Sequence, residues 1–114
     1  MEAFHRVIDH YEDLVSSIES LDLTERYDLL HLEARIVLID GSELHVSEVW
    51  KGEDLEKYSY YWLEESGETI VGWDNAPHHD VETFPHHRHE GGEVEPSEPM
   101  DAETVLRELQ DRIL

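Results

Sequence analysis

The sequence predicts an α+β domain: a four-stranded antiparallel meander with an N-terminal and a C-terminal helix packed on one face, and a long histidine-rich loop. Three observations predict it. Apolar residues recur at spacings of three and four near both ends of the chain. Between them the pattern changes to alternation, interrupted by Asp40-Gly41 and Ser66-Gly67, which read as hairpin turns. From residue 75 the periodicity stops, and all four prolines fall within residues 75–100.

Residues 2–20 place Phe4, Val7, Ile8, Tyr11, Leu14, Val15 and Ile18 on one stripe, which predicts an amphipathic helix. Residues 21–28 read as a polar connection. Residues 29–40 alternate through Leu30, Leu32, Ala34, Ile36 and Leu38, the first strand. Residues 43–50 form the second, 57–64 a third dense in tyrosine and tryptophan, and 68–74 a fourth. Short connections between neighbours imply antiparallel pairing. Residues 75–100 are expected to be a loop, longer than the roughly 12–15 residues beyond which structureless loops become uncommon. Asp101 is placed to cap a final helix carrying Val105, Leu106, Leu109 and Ile113, with Met100 and Val105 as a hydrophobic staple. The expected organisation is a single domain over residues 1–114. Residues 1–90 hold the helix, sheet and histidine motif, 91–100 an acidic Gly/Pro linker, and 101–114 the last helix.

Glu48 breaks the strand pattern, because it shares a face with Leu44, Val46 and Trp50. A carboxylate there either reaches water near the strand end or points inward, where it must be hydrogen-bonded, paired or set in a cleft.

Composition narrows the function classes. The 114 residues contain no cysteine, which excludes disulfides, thiolate chemistry and sulfur-ligated zinc. Neither a signal peptide nor a bilayer-spanning apolar run is visible, so a soluble cytoplasmic protein is expected. Twenty-nine acidic residues face eight basic ones, a formal charge of −21, and only Lys51 and Lys57 are lysines. This composition resembles that of proteins from a halophilic archaeal cytoplasm, where a Debye length of about 3 Å at molar salt screens self-repulsion. No basic groove for a phosphate backbone is visible, so a nucleic-acid substrate would depend on a local site.

Five of the nine histidines, His78, His79, His86, His87 and His89, fall within residues 78–89. The surrounding residues, WDNAPHH at 73–79 and TFPHHRH at 83–89, resemble the signature of TumE-type toxins of toxin–antitoxin systems. That signature is aromatic-Asp-Asn-Ala-Pro-His-His followed by Phe-Pro-His-His-Lys-His. The strands HVSEVW and YSYYW also look like family features, so the resemblance covers about residues 28–90. Gly72 stands where many relatives carry arginine, and Arg88 replaces the more usual lysine. The resemblance implies a toxin neutralised by direct binding of a cognate antitoxin, with RNA as the expected target.

Three readings of the histidines remain. One is metal-independent acid–base cleavage of RNA. A pair of imidazoles from His78, His79, His86, His87 and His89 would move protons, oriented by Asp74 or Glu48. Arg88 would hold phosphate, Asn75 a base edge, and Tyr58 and Tyr60 would stack on bases. The second is a divalent metal such as zinc, held by imidazoles with an oxygen from Asp74. The third is a structural loop within a non-catalytic, antitoxin-binding module. The aromatic face of the third strand, with Tyr58, Tyr60 and Trp62, is equally suited to a packed core or a homodimer surface. The ribonuclease reading requires the imidazoles to fold back toward a shared cleft beside Asp74 or Glu48.

Overall fold

The computed structural model describes residues 2–114. Helices α1 (Glu2–His10) and α2 (Ala102–Ile113) accompany one antiparallel sheet. Its strands are β1 (Val15–Arg26), β2 (Leu29–Leu38), β3 (Glu43–Lys51), β4 (Asp54–Leu63), β5 (Thr69–Asp74), β6 (His87–Glu90) and β7 (Glu93–Pro96). They run in sequence order across a seven-stranded meander, which corrects the expected four. The expected strands are β2 to β5, and the additions lie at both edges.

The first addition replaces the second half of the expected N-terminal helix. The helix stops at His10, and Val15 opens β1. Val15, Ile18, Leu21 and Leu23 are opposite Leu38, Ile36, Ala34 and Leu32. The partners on β2 are two apart, whereas the first three residues on β1 are three apart. Register shifts between Val15 and Ser17 and between Ile18 and Ser20 account for the difference. Each inserts one extra residue, so two β-bulges give a strand the apolar spacing of a helix.

The second addition lies within the expected loop. β6 pairs with β5 and β7 with β6. Gly91 and Gly92 join them with φ of 61° and 79°. A two-residue hairpin of this hand needs positive φ at both central positions, which glycine supplies without steric cost.

Directly paired residues share a sheet face, so the register sorts the side chains. One face carries Leu32, Ala34, Ile36, Leu44, Val46, Tyr60, Trp62, Val71 and Trp73, all buried. Phe4, Ile8, Tyr11, Leu14, Val105, Leu106 and Leu109 join them in one core, so both helices cover this face. Asp101 caps α2 as expected, its carboxylate accepting from the Thr104 amide at 2.8 Å, and Met100 is buried beside it. The other face is polar and carries no helix: Arg35, His45, Tyr61, Gly72 and His89 form one cross-strand row. Glu33, Ser47, Ser59, Asp74 and His87 form the next. Among the described residues no helix is long and apolar enough to cross a membrane.

Candidate active site

Asp74 ends β5 on the uncovered face, and pairing with β6 sets His87 directly opposite it. His87 Nε2 lies 2.9 Å from Asp74 Oδ1, and His89 Nε2 lies 3.6 Å from Asp74 Oδ2. The two imidazoles share a face because they are two residues apart on a strand. His79 reaches the same point from the connection between β5 and β6. Its ring centroid is 4.8 Å from that of His87 and 5.2 Å from that of His89, and the latter two are 4.8 Å apart. One nitrogen from each ring lies within 4.8 Å of the others.

The site is held from behind. Tyr61 donates its hydroxyl to Asp74 Oδ2 at 2.7 Å, and the Ala76 amide donates to Oδ1 at 3.0 Å. Burial, followed by the Asp74 hydrogen bond and charge, pushes the Tyr61 phenol well above its ordinary value. The phenol therefore keeps its proton and remains a donor. His87 is 1% exposed, and its Nδ1 is 2.9 Å from the Pro85 carbonyl. Both His87 nitrogens thus face oxygens, which fixes the ring plane. His89 is more open, with 30% of its side chain exposed. Burial, and then the adjacent His87, lower the proton affinity of His89; the Asp74 charge opposes them and His79 adds to the lowering.

Gly72 makes this arrangement sterically feasible. A Cβ there would sit 2.2 Å from Tyr61 Cε1, so the phenol crosses a strand position that has no side chain. The sequence signal was present in the isolated glycine within a strand, which marks close approach of a neighbour. Tyr61 lies outside the expected site residues, because the alternation of Tyr58, Tyr60 and Trp62 marks only the opposite face of the strand.

The remaining expected residues lie elsewhere. Glu48 is 3% exposed on the helix-covered face, accepting from the Tyr60 hydroxyl at 2.5 Å and the Trp50 indole at 3.1 Å. It points inward and is satisfied there, away from Asp74. Arg88 is opposite Trp73, so strand alternation turns its guanidinium away from His87 and His89. It donates to Glu95 at 2.6 Å, the bond that raises its proton affinity most. Tyr58 places its hydroxyl 2.7 Å from His86 Nδ1 and stacks on that ring. Asn75 accepts from the Tyr58 amide and donates to the Glu56 carbonyl, both at 3.0 Å, extending the β4–β5 ladder past Asp74. His78 is exposed, on the rim of a surface hollow that also includes Pro77, His79 and Phe84.

No curated protein and no solved structure matches the chain. A family model described as Toxin TumE matches residues 4–113, taking in every strand and nearly all of both helices; the chain belongs to the TumE toxin family.

Proposed function

We propose that this chain is the toxin of a toxin–antitoxin pair and cleaves RNA by metal-independent acid–base catalysis at His79 and His89. Family membership suggests the toxin and implies an antitoxin partner. The observation that carries the chemical reading is the clustering of three imidazoles, two of them against Asp74, on the face that the helices leave open.

RNA brings its own nucleophile. One imidazole takes the proton from a 2′-hydroxyl, whose oxygen attacks the adjacent phosphorus. The 5′-oxygen leaves with a proton from the second imidazole, giving a 2′,3′-cyclic phosphate and a 5′-hydroxyl. His79 and His89 suit these roles because both are partly exposed. His87 is buried and acts through its neighbours as a positioning residue, locked by Asp74 and Pro85. A separate groove of about 340 Å³ on the same face is lined by Ser59, Ser47, His45 and Arg35, and also by Asp22 and Glu33.

The test is induced expression in a sensitive host, paired with cleavage of labelled RNA by chelator-treated protein. His79→Ala and His89→Ala are each expected to lose growth arrest and to slow cleavage by about 10²–10⁴-fold. Equal arrest by wild type and both variants would remove the histidines from the mechanism.

A further inference from the structure

We propose that His79, His87 and His89, with an oxygen of Asp74, form a binding site for one divalent transition-metal ion of the zinc class, and that the bound ion silences the proposed ribonuclease. The silencing rests on the ribonuclease reading; the site itself rests on geometry alone.

The three rings pack edge to face at 67°, 75° and 78°, and one nitrogen of each lies within 4.8 Å of the others. Zinc binds imidazole nitrogen and carboxylate oxygen at about 2.0–2.2 Å, which places neighbouring atoms of a tetrahedral set about 3.3 Å apart. Asp74 brings Oδ1 to 2.9 Å from His87 Nε2 and Oδ2 to 3.6 Å from His89 Nε2, so its carboxylate lies within about that spacing of two of the rings. The His79 nitrogen lies within 4.8 Å of those of His87 and His89, so binding requires the rings to close in on the ion.

The outer partners are those that metal ligands use. The His87 Nδ1 side is held by the Pro85 carbonyl, leaving Nε2 directed at the centre. Tyr61 and the Ala76 amide hold the carboxylate. Such partners fix ring orientation and raise affinity. A set of three imidazole nitrogens and one oxygen selects zinc, cobalt, nickel or copper over magnesium, which prefers oxygen ligands. Access comes from the uncovered face through His79 and His89, and the charge of −21 favours any cation approaching it.

Silencing follows from the lone pairs. An imidazole nitrogen that coordinates a metal cannot also accept a proton. One ion therefore occupies both groups that the RNA chemistry requires.

The experiment uses the full chain, stripped with chelator and titrated with zinc chloride, cobalt chloride and magnesium chloride. Calorimetry reads stoichiometry, and visible absorption reads cobalt geometry. One zinc per chain is expected, with tetrahedral cobalt bands and no magnesium heat. His79→Ala and His89→Ala, at partly exposed positions and checked for folding by circular dichroism, should lose the cobalt bands. Tyr61→Phe should weaken zinc binding by about tenfold. RNA cleavage by the stripped protein should stop at one equivalent of zinc and return on chelation. Zinc binding that is unchanged in both histidine variants overturns the site, and cleavage that persists with zinc bound overturns the silencing. Stripped protein that never cleaves RNA but loses zinc binding in both variants supports the site and overturns the ribonuclease reading instead.

Discussion

Single atoms decide the geometry around Asp74. Gly72 lacks a Cβ where Tyr61 must cross, and Gly72→Ala would bring a methyl group to 2.2 Å from the ring. The expected cost is about 1–3 kcal/mol, read as a lower urea midpoint, and Gly72→Ala/Tyr61→Ala should recover part of it because the clash partner is gone. Glu48 is the opposite case, an acid that the strand pattern marks as anomalous and that the fold uses internally. Glu48→Ala leaves the Tyr60 hydroxyl and Trp50 indole without their acceptor, at an expected cost of about 1–3 kcal/mol in chemical denaturation. Growth arrest per folded molecule should be unchanged, since Glu48 lies on the face opposite His87. The anomaly at Glu48 was legible in the sequence because strand period fixes which face a residue takes. The hydrogen bond from Tyr60 was not, because Tyr60 comes from a neighbouring strand.

Two elements were hidden by their composition. β1 carries the apolar spacing of a helix because of its two bulges, so periodicity alone points to the wrong structure. β6 is HRHE, four polar residues with no hydrophobic alternation, and it is a strand because β5 offers it a partner. Its outward hairpin depends on Gly91 and Gly92. Replacing both with alanine should destabilise the protein by about 1–2 kcal/mol per position and loosen His87 and His89, read as faster amide exchange on β6. The strand is also tied to α2, where Glu90 accepts from Arg112 at 3.1 and 3.3 Å. That bond, with lesser help from the charges of Arg112 and Arg88, lowers the Glu90 pKa below its ordinary 4.5. A depressed carboxylate stabilises the fold above its unfolded value and loses that contribution as pH falls through the folded one. Wild type should therefore exceed Glu90→Gln in stability at pH 7 by at most about 1 kcal/mol, given the solvent exposure of the pair. The difference should shrink in melts as the pH falls below 4.5 and through the depressed folded-state pKa.

At the scale of the molecule, charge dominates. A formal −21 on 114 residues repels itself in dilute buffer, and molar salt shortens the screening length to about 3 Å. The melting temperature should rise by several degrees from dilute buffer to molar KCl, and a midpoint that does not move would contradict self-repulsion as the destabilising force. The same screening would reduce the penalty for bringing the proposed RNA substrate to an acidic surface, and local groups at the site would then have to hold it.

The sequence by itself determined the α+β class, the capped C-terminal helix and the four central strands, and it marked the histidine motif that follows Asp74. These follow from local period, turn chemistry and motif, which are properties of neighbouring residues. Only the tertiary structure decided the strand content of both sheet edges, the placement of His79 with His87 and His89, and the separation of Arg88 and Glu48 from them. Pairing register and sheet face are long-range relations: a one-residue change in alignment exchanges the faces, and no local pattern records which partner a polar strand will find.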